Sequence, residues 1–455
     1  MTTQSGSHKR LWVLGGVLLA LIAVFAGWSI LSKPAAQAQG AKRTKVVFWN
    51  EMTGPAQVQL NAFVKDFNKS QTKYEVVSEF EGSYNEAVQK IINTHGTDAS
   101  PAVFQSMDIS TSQIHHTGYT TPVQKFIDED HYDVSKIAPG ARAFYANKGT
   151  QLSMPFNTSQ PVLYYNATLL KKYKITPPPV NPSYSDITRV ATQLSERSHK
   201  KVQGMTVEIY GWLFEQFMAN SGVSLANQED GHAGTPTAVN FTNAATVNTM
   251  KWIQDNLKKG VFVNYGAGAN AQNNETASFL SGRLGMFMQS SASIGQLTTG
   301  NPDKLGITYY PHPDGQKSNG VAIGGASLWI SNDKTSTVQR GAWEFIKYLM
   351  TAKSQAEWQV ATGYLALNTD SQKEAVLQNL YKKLPATKVP GEQLRAATPN
   401  QTNSGIFLQG LIQERNLTQT AMEQIYNGSD INKSLATAEK SMNAYIQGNN
   451  RANGY

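Results

Sequence analysis

Hydrophobic residues between positions 45 and 107 follow strand spacing and helix spacing in turn. Val46 to Trp49 form a short apolar run, and Gly54-Pro55 breaks it. The next apolar residues recur at i, i+3, i+4 and i+7, the spacing of one helix face, at Leu60, Phe63, Val64 and Phe67. Further apolar runs at 74–80 and 102–107 predict two more strands. Alternation of this kind is typical of a parallel sheet with crossover helices.

A second helix is predicted between the last two of these strands. Ser83 and Glu86 have the spacing of a capping box, and Gly96 suits the helix end. Ligands of parallel α/β sheets collect at the carboxyl ends of the strands. Tyr84, at the helix start, and Asp108, directly after a strand, are therefore expected near one rim.

The rest of the chain repeats both spacings. We predict a strand at 161–165, a helix capped by Ser183, a strand at 321–330 containing Gly324-Gly325, and helices at 337–349 and 354–360. The stretch from Gln401 onward is predicted to be largely helical. With 455 residues the chain exceeds one ordinary core, so an α/β protein of two lobes is the simplest expectation.

The first residues have the pattern of an export signal. Lys9 and Arg10 precede an apolar run at 11–31, and Ala36-Gln37-Ala38 is a small-residue cleavage site. We expect a signal peptide at 1–38, although the run is long enough to serve as an uncleaved anchor. Either outcome places the remaining chain outside the cytoplasm, and the first makes it a periplasmic protein.

Composition excludes several classes of site. The chain has no cysteine, which removes disulfides, zinc-thiolate sites, thiol nucleophiles and a lipid-attached cysteine. The net charge of +8 comes from 40 basic and 32 acidic residues, and no Lys/Arg cluster stands out. Nucleic-acid binding is therefore not expected, whereas a mildly basic surface would assist the capture of an anion.

The sequence contains no clear motif of an enzyme. His115 and His116 are adjacent and make a poor metal pair, and 266–268 lacks the third glycine and the lysine of a phosphate loop. A phosphodiesterase would normally have metal ligands beside its phosphate site. We therefore expect no catalysis, no metal and no cofactor, and keep a phosphodiesterase as the alternative from another class.

Several segments resemble the type-1 extracellular solute-binding proteins, and within that family the members that bind glycerol 3-phosphate. The matching segments, in order, are 155–159 followed by 161–166, Phe279 with Gly282, Gly285 and Met286, Ile323 to Trp329, and Ala356 to Trp358 before Thr362 to Leu365. The similarity runs over most of the chain, with gaps around 200–275 and 370–400.

The resemblance implies the two-lobed periplasmic-binding-protein fold of maltose-binding protein, with a ligand cleft between the lobes. One lobe would comprise 41–157 plus 322–365, and the other 158–321 plus 366–455. Hinge closure on a ligand would follow. Such a protein is the monomeric substrate-binding component of an ABC importer, and its partners are the membrane permease subunits.

The resemblance also implies the ligand and the residues that contact it. The ligand would be sn-glycerol 3-phosphate or a glycerophosphodiester such as glycerophosphocholine. Tyr84 and Asp108 would contact the glycerol end of the ligand, and Ser159 would lie at the crossing between the lobes. The remaining implied contacts are Ser290, Gly325, Tyr364 and Arg415, with Tyr184 and Trp212 as candidate pocket walls.

The chemistry of this set suits a phosphate. Its oxygens only accept hydrogen bonds, so the site needs an arginine fork, hydroxyls and backbone amides beside glycine. Taken one at a time, the same residues have ordinary roles: Asp108 as a cap, Gly325 as a bulge glycine and Arg415 as a surface cation.

Two departures from the family pattern leave the ligand open. Asp108 is one carbon shorter than the family's glutamate, and Tyr184 stands where the family has a tryptophan. Both changes leave room for a ligand larger than glycerol 3-phosphate. An oligosaccharide is the alternative, because much of the broader family binds sugars.

Overall fold

The computed structural model describes residues 43–298 and 304–454. The predicted signal segment at 1–38 lies outside these residues. Residues Lys45–Tyr455 form one compact unit. Within the described ranges, no helix combines the length and the apolar character that crossing a bilayer requires.

The strands fall into two main sheets and one small hairpin. In chain order they are β1 Thr44–Asn50, β2 Tyr74–Phe80, β3 Val103–Met107, β4 Thr120–Thr121, β5 Ala146–Asn147, β6 Thr150–Gln151, β7 Met154–Ser159, β8 Pro161–Asn166, β9 Gln203–Thr206, β10 Phe262–Val263, β11 Leu284–Ser290, β12 Leu305–Thr308 and β13 Gly324–Ser331.

Helices cover both sheets. They are α1 Gly54–Ser70, α2 Tyr84–Thr94, α3 Thr111–Thr117, α4 Gln124–Asp130, α5 Pro139–Phe144, α6 Ala167–Lys172, α7 Tyr184–Arg197, α8 Gly211–Asn220, α9 Asn227–Asp230, α10 Ala244–Lys258, α11 Gly268–Leu280, α12 Ile294–Leu297, α13 Ser336–Leu349, α14 Ala352–Thr362, α15 Ala375–Lys383, α16 Val389–Ala396, α17 Leu411–Tyr426 and α18 Ile431–Ala452.

The first sheet has the order β2-β1-β3-β13-β4, and β7 pairs with β13. β1 and β3 are parallel, as the sequence predicted, whereas β13 runs antiparallel to β3 and β7. The second sheet has the order β10-β9-β11-β8-β12, with β9 parallel to β10 and β11 and with β8 antiparallel to its neighbours. The mixed α/β architecture is confirmed.

Local signals in the sequence placed several helix ends correctly. Ser83 and Glu86 form the predicted capping box at the start of α2, and Ser183 caps α7 with Asp186 as its reciprocal partner. The predicted inner face of α1 is buried at all four apolar positions. The stretch from Gln401 onward is largely helical, as predicted, with α17 beginning at Leu411.

Each sheet has its own apolar core, which accounts for two lobes. One core is built around β1, β7, β13, α1 and α13, and the other around β8, β9, α7, α8, α10 and α17. The lobe boundaries drawn from the resemblance stay a prediction. The segment 375–396 packs against the first lobe. Leu377 and Tyr381 contact Ala356, and Leu394 belongs to the core of the first sheet.

Three chain segments pass side by side where one sheet gives way to the other. Ser159 at the end of β7 lies opposite Gly324 at the start of β13 in the register of these strands. Nearby, the backbone N–H of Leu365 donates to the carbonyl of Thr158 at 2.8 Å. This crossing carries some of the residues that line the cavity described next, among them Ser159 and Gly324.

Candidate functional site

A cavity of about 190 Å³, here called the central cavity, opens between the two sheets. Residues from both sheets border it: Tyr84, Asp108, Ser159, Tyr210, Trp212, Gln272, Gln289, Ser290, Gly324, Gly325, Tyr364 and Arg415. All seven ligand contacts expected from the sequence are in this set, and so is the candidate wall residue Trp212. The structure therefore brings together chain positions that lie more than three hundred residues apart.

Arg415 is held by two carboxylates in the central cavity. Its Nε–H donates to Glu215 Oε1, and its Nη2 donates to Glu215 Oε2 at 2.9 Å and to Asp108 Oδ2 at 3.2 Å. Only 11% of the Arg415 side chain is exposed. Glu215 thus fixes the guanidinium plane, and the contact with Asp108 joins α17 of one lobe to the end of β3 in the other.

A close helix contact sets the position of Arg415. Gly211 begins α8, and a Cβ atom there would lie 2.6 Å from both the Cα and the carbonyl oxygen of Arg415 on α17. The absence of a side chain lets the two helices approach closely. Glu215 lies one helical turn after Gly211 and accepts hydrogen bonds from the Arg415 guanidinium.

Burial and charge act against each other in this cluster. Burial lowers the pKa of Arg415, but the attraction of Glu215 and Asp108 outweighs it and raises the pKa well above the usual value. Burial also raises the pKa of Glu215 against the opposing pull of Arg415. The pKa of Glu414, fully buried beside Glu215, is raised well above its usual range by burial and by the Glu215 charge. Arg415 therefore keeps its charge, whereas burial favours the neutral form of Glu414.

A buried amide network orients the tyrosine on the other side of the cavity. Asn157 Nδ2 donates to the Tyr84 hydroxyl at 3.0 Å, and Gln105 Nε2 donates to Asn157 Oδ1 at 2.6 Å. Burial raises the pKa of Tyr84 well above its usual value and also raises that of Tyr364. Both hydroxyls therefore remain protonated and can donate to a ligand.

Backbone geometry shapes the rim near the crossing. Gly325 has φ 112°, which L side chains rarely adopt, and a Cβ there would fall onto the carbonyl oxygen of Asn157. Ser290 ends β11; its hydroxyl accepts from the Ala292 N–H at 3.2 Å, and its carbonyl accepts from the Tyr164 hydroxyl at 2.8 Å. These contacts hold Ser159, Ser290 and Gly325 around one space.

The wall from the second sheet contains residues that sequence reasoning missed. Gln272 and Gln289 donate to the two oxygens of the buried Glu208 at 2.7 and 3.0 Å. Trp212 lies against Gly324, and its Nε1 has no hydrogen-bond partner among the described residues. Glu215 was also missed, and its signal was a lone acid inside the otherwise apolar start of α8.

Tyr184, expected as a candidate wall, lies elsewhere. Its ring stacks on Trp252 with centroids 4.2 Å apart, and its hydroxyl lies 3.1 Å from the Thr249 hydroxyl oxygen. The side chain is buried in the core of the second sheet and does not border the central cavity. The helix start after Ser183 faces that core because α7 packs its apolar side against β9 and β11.

A second space, here called the side cavity, adjoins the first. It has a volume of about 550 Å³ and is bordered by Glu51, Met52, Thr53, Pro55, Ala56, Tyr84, Ala292, Gly295, Gln296, Ala361, Thr362 and Tyr364. Tyr84 and Tyr364 border both spaces. The two cavities are therefore neighbours on either side of these two residues.

The arrangement is suited to binding an oxyanion. The central cavity presents one guanidinium, serine and tyrosine hydroxyls, an indole N–H and backbone next to glycine. No group of three or more His, Cys, Asp or Glu side chains in the described part of the chain could hold a metal ion. Asp108 adds an acceptor for hydroxyl groups.

Comparison with known proteins identifies relatives along most of the chain. The family described as bacterial extracellular solute-binding protein matches residues 62–389. The sn-glycerol-3-phosphate-binding periplasmic protein UgpB of Pectobacterium atrosepticum is 28% identical over 401 residues, which cover 87% of this chain and 88% of that protein. The protein of the same name from Brucella melitensis is 28% identical over 414 residues, covering 90% and 94%.

Solved structures show the same fold. UgpB from Mycobacterium tuberculosis in complex with glycerophosphocholine superposes with a TM-score of 0.72 at 18% identity, covering 89% of this chain and 98% of that one. The sugar-binding protein MalE from Xanthomonas citri gives a TM-score of 0.76 at 17% identity, covering 90% and 99%. At these identities the likeness concerns the fold, and it confirms the expected architecture of two lobes.

Proposed function

Because the chain belongs to the family of bacterial extracellular solute-binding proteins, we propose that it captures a phosphorylated glycerol compound for an ABC importer. The ligand is sn-glycerol 3-phosphate or a glycerophosphodiester such as glycerophosphocholine. It binds between the lobes and leaves unchanged, and the membrane permease subunits then receive it. The protein acts as a monomer in the periplasm.

One observation carries this proposal: Arg415 lies in the central cavity with serine and tyrosine hydroxyls around it. An arginine fork is the side chain best matched to two phosphate oxygens. The family relatives that bind glycerol 3-phosphate by name support the same reading. Each charge-assisted hydrogen bond contributes about 1.5 to 3 kcal/mol, so a few of them account for micromolar binding, about 8 kcal/mol.

The charges in the cavity favour a diester over the monoester. Arg415 is already compensated by Glu215 and Asp108, so a phosphate monoester with close to two negative charges would meet a carboxylate at short range. A diester carries one negative charge. Its glycerol hydroxyls can donate to Asp108 while its phosphate meets the N–H groups of Arg415 that face away from Glu215.

An oligosaccharide is the second candidate, and the aromatic side chains of the cavity favour it. Tyr84, Tyr210, Trp212 and Tyr364 all border the space, and sugars stack on such rings. A neutral sugar would leave the Arg415 guanidinium without an anionic ligand group. This difference makes charge the property to test.

Calorimetric titration of the purified protein with glycerol 3-phosphate, glycerophosphocholine and maltose separates these ligands. We expect binding of at least one phosphorylated compound, with the diester tighter, and no binding of maltose. Binding of maltose alone would overturn the proposal. Incubation with the diester should release no glycerol 3-phosphate, and turnover would reclassify the protein as a phosphodiesterase.

A further inference from the structure

The side cavity contains an acid that has no role in the site described so far. Glu51 directly follows β1, as Asp108 directly follows the neighbouring parallel strand β3. Both acids therefore stand at the carboxyl edge of the sheet, where ligands collect. Asp108 is paired with Arg415, whereas the carboxyl oxygens of Glu51 have no hydrogen-bond partner among the described residues.

Glu51 is a costly residue to bury without a partner. It is 7% exposed, and it borders the side cavity together with Tyr84 and Tyr364. A buried carboxyl group normally acquires a donor or a counter-charge. The unsatisfied oxygens of Glu51 therefore point to a group supplied from outside the chain.

The surroundings of Glu51 define the chemistry of that group. Its backbone N–H donates to Gln105 Oε1 at 3.2 Å, and Gln105 belongs to the network that holds the Tyr84 hydroxyl. Gln105 thus fixes the backbone of Glu51 relative to the network that orients Tyr84. A carboxylate beside two tyrosine rings is a typical arrangement for an ammonium group, which a carboxylate neutralises and aromatic faces attract.

We propose that the side cavity is a subsite for an ammonium headgroup attached to the ligand's phosphate, with Glu51 as its counter-charge. The proposal rests on the proposed function, because the phosphate in the central cavity places the headgroup beyond Tyr84 and Tyr364. Two unsatisfied oxygens favour a primary ammonium with N–H donors, as in glycerophosphoethanolamine, over a trimethylammonium group without them.

The state of Glu51 without ligand agrees with this role. Burial, with a smaller contribution from Glu81, raises the pKa of Glu51 to about 9. Glu81, the charged group that acts on Glu51, is itself paired with Lys90, while Tyr84 and Tyr364 stay neutral. At pH 8 the empty subsite therefore holds a neutral acid, and an incoming cation favours its ionised form.

The first test compares four ligands on the wild-type protein and on Glu51→Gln. They are glycerophosphoethanolamine, glycerophosphocholine, the neutral-headgroup diester glycerophosphoglycerol, and glycerol 3-phosphate. Wild-type protein should bind glycerophosphoethanolamine about tenfold more tightly than glycerophosphoglycerol. Glu51→Gln should abolish that difference and leave the glycerol 3-phosphate affinity within about twofold. Glu75→Gln, an exposed acid on β2, is the matched control and should change neither value.

The second test measures protons. Calorimetry of glycerophosphocholine at pH 8 in two buffers of different ionisation enthalpy should report proton release with wild-type protein and none with Glu51→Gln; a quaternary ammonium has no proton of its own to lose. If Glu51→Gln keeps the headgroup preference, or if no proton is released, the subsite is disproved. If wild-type protein binds none of the four ligands, the proposed function itself fails.

Discussion

Arg415 is the residue on which the proposed recognition of a phosphate depends, and its setting is unusual for an anion-binding group. Glu215 and Asp108 already occupy part of its guanidinium. Such carboxylates cost affinity for a dianion but fix the direction of the remaining N–H groups. The balance gives selectivity by charge, because an ion with one negative charge is repelled less than one with two.

Replacing Arg415 by alanine should remove most of the affinity for any phosphorylated ligand. We expect a loss of about 100-fold, the equivalent of roughly 2.7 kcal/mol, because charge-assisted hydrogen bonds disappear from a shielded site. The affinity of Arg415→Lys should lie between those of wild type and Arg415→Ala, since an ammonium keeps the charge but lacks the planar guanidinium that Glu215 holds. Calorimetric titration measures both.

Arg283→Ala is the matched control for this prediction. Arg283 is exposed and its Nε bonds only to the Ser281 hydroxyl at 3.1 Å in the described part of the chain. Its loss should leave the affinity unchanged. An Arg415→Ala variant that folds and binds as tightly as wild type would remove Arg415 from the site.

The sequence indicated some residues of the site more clearly than others. Tyr84 and Asp108 could be placed at the rim because each stands directly beside an element end. Arg415 came only from the resemblance, since nothing in its helix distinguishes it from a surface cation. Glu51 has the same position as Asp108, after a buried strand, and was nevertheless overlooked because its burial depends on the fold of distant segments.

At the scale of elements, the contact between α8 and α17 determines the site. Gly211 permits the approach, and the same two helices then supply Glu215 and Arg415. The family match could not predict this contact, because the two helices are about two hundred residues apart and the resemblance has a gap around 200–275. Tyr184 failed as a wall for a related reason: the side of α7 that faces the core is set by packing.

Gly211→Ala should weaken both folding and binding. The added methyl group meets backbone atoms of Arg415, so one helix must shift, at a cost of about 1 to 3 kcal/mol in the free energy of unfolding. The shift moves the guanidinium, and ligand affinity should fall by about tenfold. Urea unfolding and calorimetry measure the two effects.

Gly448→Ala supplies the control in the same chain. Gly448 is exposed in the last third of α18, where an added Cβ meets nothing within 4 Å. This variant should be stabilised by about 1 kcal/mol with no change in affinity. If Gly211→Ala behaves like Gly448→Ala, the close approach of α8 and α17 does not position the site.

At the scale of the whole molecule, buried acids make stability depend on pH. Burial raises the pKa of Glu51 and of Glu275 to about 9, and that of Glu208 and Asp230 to about 7. In the unfolded chain these groups lose their protons near pH 4 to 4.5. Above that pH the folded protein binds more protons than the unfolded chain, so its stability falls as pH rises.

The midpoint of urea unfolding should therefore be lower at pH 9 than at pH 7. Each of Glu51 and Glu275 contributes on the order of 1 kcal/mol per pH unit in this interval. Glu275→Gln should flatten the dependence, because its oxygens lack partners among the described residues and a neutral amide loses no proton. A midpoint that rises toward pH 9 would contradict the assignment of neutral buried acids.

The central cavity draws on chain positions as early as Tyr84 and as late as Arg415. In a growing polypeptide the guanidinium that borders this cavity is therefore missing until residue 415 has been synthesised, and the pocket is incomplete until then. Under the proposed function and export, a ligand therefore has no complete pocket to stabilise before translation is nearly finished.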